Sequence, residues 1–190
     1  VWSLHTGARG VSGITNIIFN RETHELTWAC PWWREIAFAF WLSKYWEYLD
    51  TSILIVAGKP VSFLQFFHHI GAGFVMWMLV RYENSAIWIF VVFNSFIHTL
   101  MYTYYAAAVR GVNLAMVKWI MTLLQILQLL VGGFMISLWP PMNQRTYRES
   151  WQQIGSMVFS QLYLAVLLVL FVQFFIEQYV VPKKGKSKAE

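Results

Sequence analysis

Charge is what this chain lacks. Charged residues make up 12% of its 190 residues, against about 25% in an average soluble domain. Such a composition excludes a disordered chain, which is charged and poor in apolar residues, and it argues against a free soluble enzyme. Cysteine is also nearly missing. The single one, Cys30, excludes an internal disulfide and a Cys-rich metal site. The net charge of +5 raises the question of nucleic acid. Four of the fourteen basic residues, Lys183, Lys184, Lys186 and Lys188, fall in the last eight positions, so the charge is mostly a tail and no nucleic-acid partner is expected. What fills the chain instead is apolar. It is 58% hydrophobic and 18% aromatic, with a mean hydropathy of +0.49.

A membrane-crossing helix needs ~20 mostly apolar residues to cover ~30 Å of hydrocarbon. The uncharged stretches Asn84 to Val109, Trp119 to Gln144 and Ser150 to Ile176 exceed that length, and Pro60 to Val80 meets it. A fifth candidate, Pro31 to Ala57, carries Lys44, Glu47 and Asp50, so hydropathy alone disputes it. The expected fold is an all-α integral membrane protein, a polytopic helical bundle. Its spans are placed at about 31–57, 60–80, 84–109, 115–139 and 151–180, followed by a basic tail at 182–190. No signal peptide is evident in residues 1–30. The opening VWSLHTGARG reads as the tail of an apolar segment entering a loop, so a preceding part of a longer protein is expected.

The positive-inside rule places the lysine tail in the cytosol. Five spans then put Lys59, Arg110 and Lys118 on the cytosolic side and Arg81, Arg145 and Arg148 on the other. The loops are nearly tied, and the tail decides. Lysines third and fifth from the end resemble a dilysine retrieval signal of endoplasmic-reticulum membrane proteins; a solvated basic tail is the alternative.

Ionisable groups inside a span are costly and tend to mark function. They concentrate here in four places. In the first, Lys44, Glu47 and Thr51 share a helix face with Asp50 on its edge. A structural ion pair near the membrane boundary is the alternative. In the second, Gln65, His68 and His69 lie on one side of a helix, and two adjacent histidines in an apolar run are hard to explain as packing. In the third, Asn94, His98, Met101, Tyr102 and Tyr105 form a stripe spanning roughly 16 Å. The fourth is Thr122, Gln125 and Gln128, for which interhelical hydrogen bonding suffices when taken alone.

Depth links the four. Asp50 lies seven residues from Ala57, His68 eight beyond Pro60, His98 twelve before Arg110 and Gln125 seven beyond Lys118. At 1.5 Å per residue these are roughly 10 to 18 Å below one membrane face. The expectation is one buried site opening to the cytosol, with apolar walls deeper in the bundle suited to a long acyl chain. Reversing the orientation keeps the convergence but turns the site to the lumen.

These motifs, in this order, resemble the ELO-type fatty acid elongases, the membrane 3-ketoacyl-CoA synthases. The pattern KxxExxDT matches Lys44, Glu47, Asp50 and Thr51. The box HxxHH matches His68 and His69, with Gln65 in first position; NxxxHxxMYxYY matches Asn94, His98, Met101, Tyr102, Tyr104 and Tyr105; TxxQ matches Thr122 and Gln125. The resemblance covers about residues 1 to 181. It implies an inverted barrel of seven spans, of which five are present here. Gln65 in place of a histidine resembles the plant and microalgal branch, including elongases of polyunsaturated chains.

The resemblance implies condensation of a long-chain acyl-CoA with malonyl-CoA to 3-ketoacyl-CoA, carbon dioxide and CoA. It implies no bound cofactor or metal, a multi-pass place in the endoplasmic-reticulum membrane with a cytosolic C-terminus, and other elongation-cycle enzymes or a larger membrane complex as partners. Cys30 precedes the first span on the face opposite the inferred site, which leaves histidine as nucleophile. His68 is expected to attack the acyl thioester, with His69 and His98 polarising or hydrogen-bonding the reacting carbonyls. Asp50 or Glu47, the latter beside Lys44, is expected to orient an imidazole. Asn94, Tyr102 and Gln125 are expected to position the thioesters, with Gln65, Met101, Tyr105 and Thr122 as further substrate contacts. CoA phosphates are expected to meet cations among Lys59, Arg110, Lys118, Lys183 and Lys184. A di-iron oxidase needs about eight histidines in clusters, whereas this chain has five, with His5 and His24 outside the spans. A non-catalytic elongase-like subunit of a membrane assembly is the remaining alternative. A transporter or receptor is disfavoured, since neither a gating motif nor an internal repeat is visible.

Overall fold

The computed structural model describes residues 31–84, 86–112, 115–142 and 151–181. Cys30, His5, His24, Arg145, Arg148 and the 182–190 tail lie outside the described residues. Five long helices account for nearly all of the rest: α1 (Pro31–Val56), α2 (Phe63–Arg81), α3 (Ile87–Val109), α4 (Ala115–Met142) and α5 (Trp151–Phe175). The last continues as a π-helical turn, Ile176–Val180.

Four of the five, Phe63–Arg81, Ile87–Val109, Val117–Leu138 and Trp151–Val180, are long and apolar enough to cross a membrane. The chain is an all-helical polytopic membrane protein. Helix α1 has the length, at 26 residues, but not the composition, because of its charges. Two of those charges are turned inward. Along α1 the buried residues are Ala37, Phe40, Lys44 and Glu47, at helical spacing. The residues that depress its hydropathy are therefore partly its interior face.

Backbone chemistry ends the helices. After α1, Gly58 takes φ +65, its N–H donating to the Ile55 carbonyl at 3.0 Å and that of Lys59 to Leu54 at 2.9 Å. This is a Schellman cap, which needs a left-handed residue. Gly111 (φ 81) repeats the arrangement after α3. After α2 the left-handed position is Glu83 (φ 49), a non-glycine in a region that costs L-residues energy. Its carboxylate accepts a hydrogen bond from Arg34 of α1. Helix α2 begins at Phe63, three residues inside the stretch expected from Pro60, because Ser62 is its N-cap and accepts from the Gln65 N–H at 3.1 Å.

The helices close a ring. Helix α1 packs on α2, α2 on α5, α5 on α4 and α4 on α3, and α3 returns to α1 through a thinner contact. The apolar core joins Val75, Met76 and Leu79 of α2 to Ile87 and Ile89 of α3, Leu129 and Ile136 of α4, and Leu164 and Leu167 of α5. The α1–α3 seam is different, because polar side chains hold it together.

A candidate active site between the helices

Lys44 and Glu47 are 3% and 4% exposed. Charges are that deeply buried only when paired. Lys44 Nζ donates to Glu47 Oε1 at 2.6 Å and to Asn94 Oδ1 across the seam, and lies 4.5 Å from the Phe40 ring centroid. Glu47 Oε1 is also 3.5 Å from His98 Nδ1. The other carboxylate oxygen, Oε2, is buried without a hydrogen-bond partner, a costly state for a polar atom.

The same face of α1 reaches α2. Thr51 Oγ1 lies 2.6 Å from His69 Nδ1, which leaves the other ring nitrogen of His69 free of that contact. Among the described residues, Asp50 makes no hydrogen bond to an imidazole. Its Oδ2 accepts from the Tyr102 hydroxyl of α3 at 2.9 Å. Of the two carboxylates expected to orient a histidine, the one beside an imidazole is therefore Glu47, and the residue that holds His69 is Thr51. The reason is register: Asp50 points off the edge of the inward stripe, toward Tyr102.

The three imidazoles gather in one place. His68 and His69 ring centroids are 5.3 Å apart. His68 and His98 are 6.2 Å apart with planes at 23°. Phe171 of α5 meets the His68 ring edge-on at 6.4 Å. Glu47, His68 and His69 each offer a ligand atom, all within 4.8 Å of one another. Two histidines and a carboxylate suit zinc or iron, but the Lys44 ammonium on the same carboxylate opposes a dication there.

The three imidazoles line a cavity of about 560 Å³, within the usual range for small-molecule sites, about 300–1,000 Å³. Gln65, Asn94, His98, Met101, Tyr102, Tyr105, Thr122 and Gln125 all face it. Gln125 Nε2 reaches Met101 Sδ at 3.9 Å. Thr122 donates to the Lys118 carbonyl at 3.3 Å and lies 3.5 Å from the Tyr179 hydroxyl. Of the described cations named for CoA, Lys118 lines this cavity, while Lys59 and Arg110 do not.

Behind the histidines the cavity adjoins a slot of about 50 Å³. The two share His68, Asn94, Gln128, Leu129 and Leu167. Beyond them the slot is mostly apolar, among Phe40, Met76, Ile89 and Ile136, with Lys44 and Tyr163 also in its wall. Gln128 Oε1 sits at this junction, buried and unpartnered.

Sequence reasoning passed over helix α5. Leu167, Phe171, Phe174 and Tyr179 line the cavity, and Tyr163 donates to the His68 carbonyl at 2.8 Å. Aromatic residues in an apolar span read as packing. The signal present was one tyrosine hydroxyl in an otherwise aliphatic run, Leu162 to Leu170.

Long apolar helices packed around a histidine-lined cavity define a polytopic membrane protein with a cavity between its helices. The chain belongs to the ELO (GNS1/SUR4) family, whose model matches residues 2–187. It is similar to the fatty acid elongase sre1 of Dictyostelium discoideum, 34% identical over 152 residues, covering 80% of this chain and 56% of that protein. It is also similar to the putative fatty acid elongase 4 of Caenorhabditis elegans, 32% identical over 159 residues, with 80% and 53% covered. The very long chain fatty acid elongase 6 of Mus musculus is 31% identical over 159 residues, with 81% and 58% covered. The chain spans a little over half the length of these relatives. No solved structure matches it.

Proposed function

We propose that the protein to which this chain belongs catalyses the condensing step of fatty acid elongation, as a very-long-chain 3-oxoacyl-CoA synthase. The observation that carries the reading is the convergence of His68, His69 and His98 on one cavity, with the buried Lys44–Glu47 pair packed against His98 behind it and a mostly apolar slot adjoining. Membership of a family whose relatives are named fatty acid elongases supports it.

In the proposed reaction a His68 ring nitrogen attacks the acyl thioester carbonyl. The C–S bond breaks and CoA leaves as a thiolate that takes up the imidazole proton, leaving an acyl-imidazole. Malonyl-CoA then loses carbon dioxide, and the electron pair of the broken C–C bond becomes an enolate. The enolate carbon attacks the acyl carbonyl and the C–N bond breaks, giving 3-ketoacyl-CoA; the departing His68 ring nitrogen takes up a proton from solvent, which restores the imidazole. His98, held beside Glu47, and His69, held by Thr51, are suited to hydrogen-bond the oxyanion and enolate oxygens. The apolar slot takes the acyl chain and keeps water from the intermediate. Lys118, at the cavity lining, takes a CoA phosphate. The endoplasmic-reticulum membrane with a cytosolic C-terminus is the proposed location, on the strength of the lysine tail. A C-terminal glycosylation reporter that becomes glycosylated would reverse that orientation.

The test is condensation of labelled malonyl-CoA with a panel of acyl-CoAs by the full-length protein in membranes. Labelled 3-ketoacyl product that disappears in His68→Ala is the expected result. No product with any acyl-CoA from folded protein would sink the reading in favour of a non-catalytic subunit. Lys118→Glu is expected to raise the KM for acyl-CoA while sparing a phosphate-free acyl thioester; an equal effect on both would remove Lys118 from the CoA site.

A further inference from the structure

Helix α5 presents a buried stripe to the bundle: Ser156, Ser160, Tyr163, Leu164 and Leu167. The two serines turn their hydroxyls back to their own helix. Ser156 donates to the Gln153 carbonyl at 2.8 Å and Ser160 to the Ser156 carbonyl at 2.6 Å. Tyr163 does not. It is 8% exposed, and its hydroxyl crosses to α2 to donate to the main-chain carbonyl of His68 at 2.8 Å.

The approach is built for that ring. A Cβ at Gly71 would stand 2.2 Å from Tyr163 Cε2, 2.9 Å from Cδ2 and 3.0 Å from Cζ. Any side chain there collides with the ring, so the glycine is what admits it. Gly71 follows His68 by three residues, on the same side of α2. The ring also stacks on Phe67, centroids 5.4 Å apart at 22°. One residue of α5 therefore touches Phe67, His68 and Gly71 of α2. Two turns further along α5, Phe171 holds the His68 ring edge-on.

The His68 carbonyl is already an acceptor within α2, so the tyrosine hydroxyl is not needed to satisfy it. A second donor on that oxygen instead fixes the azimuth and height of α2 at the turn carrying both histidines. We infer that Tyr163 is a positioning residue, which acts through the His68 carbonyl to hold the His68 imidazole on the reacting carbonyl. The inference rests on the proposed role of His68. Placement at this precision matters because a displacement of ~1 Å can cost ~10²-fold in rate.

The experiment uses the full-length protein and Tyr163→Phe, which keeps the ring and removes only the hydroxyl. The expected result is a fall in kcat of about tenfold per folded molecule with KM for acyl-CoA unchanged. Mass spectrometry without malonyl-CoA should show slower acylation of His68. Gly71→Ala, which pushes the ring away, should act in the same direction and add little in the double variant. A readout that needs no turnover is the rate at which diethyl pyrocarbonate modifies each histidine peptide. It should change at His68 and not at His98 in Tyr163→Phe. Wild-type kcat and unchanged His68 modification would overturn the inference, as would a lower melting temperature with kcat per folded molecule intact. No condensation by the wild type, with the His68 modification contrast present, would sink the proposed reaction and leave Tyr163's control of His68 standing.

Discussion

Two buried polar networks lie in this bundle, and they are built differently. At the end where α2 turns into α3, Asn84 is 1% exposed. Its amide donates to Ser156 Oγ at 3.0 Å and the Gln153 carbonyl at 3.3 Å, and its oxygen accepts from the Ala86 N–H at 3.0 Å. Gln153 donates in turn to the Tyr82 carbonyl at 3.1 Å. None of these groups lines either cavity. At the α1–α3 seam, Lys44, Glu47, Asn94 and His98 form a charged network in which Glu47 Oε2 is left unpartnered, and its members Lys44, Asn94 and His98 line the slot or the cavity. The first network has spent its hydrogen bonds on the turn and on α5. The second keeps capacity for something that is not protein. Polar groups paired within the protein mark a structural knot, and a charged network with a shortfall whose members line open space marks a site.

The comparison breaks most sharply at the reacting histidine. His68→Ala should cut condensation to below about one-thousandth of wild type, since loss of a nucleophile removes the covalent route. The measurement is labelled product per folded molecule. Asn84→Ala should leave that quantity intact. A collapse of turnover in folded Asn84→Ala would show that the knot takes part in chemistry.

Next in size is the charged pair. Glu47→Leu strands a buried Lys44, at a cost of about 3–5 kcal/mol. Lys44→Met together with Glu47→Leu should recover most of that stability in detergent unfolding and still fail to condense substrate. Recovery of both stability and activity would reduce the pair to scaffolding. Asn84→Ala comes third, with a loss of about 1–3 kcal/mol in stability from the buried Ala86 N–H left unpaired and the lost tie to Ser156. An unchanged unfolding midpoint would refute the knot's structural role. The smallest effect is Tyr102→Phe. It removes the hydrogen bond to Asp50 at the partly exposed end of the seam, worth about 1 kcal/mol. A several-fold fall in kcat/KM with little change in melting is the expected pattern, and an unaltered kcat/KM would place Tyr102 outside the substrate path.

Legibility follows the same division. Helices α2 to α5 are plain in the sequence because ~20 apolar residues without charge have few other fates. The four polar clusters were visible because lipid makes each such residue expensive, and counting residues from the loops at one end of the bundle was enough to bring them to one depth. The Asn84 knot was not visible, since asparagine, serine and glutamine near a helix end read as turn and cap chemistry. Tyr163 was hidden for a different reason. A tyrosine in an apolar span reads as packing until its neighbour is known.

What the sequence determined by itself is the inventory: helices, their inward polar stripes, and the depth at which these stripes meet. Local rules suffice for that, because helical periodicity and the cost of polar groups in hydrocarbon act on one segment at a time. Tertiary structure decided the pairing. It set Glu47 rather than Asp50 beside an imidazole, Thr51 on His69, and Tyr163 on the His68 carbonyl in the space left by Gly71. Those contacts join residues 18 to 95 positions apart in the chain. Contacts at that range depend on how each helix is rotated against its neighbours in the ring, a quantity set by packing between helices and not by the pattern along any one of them.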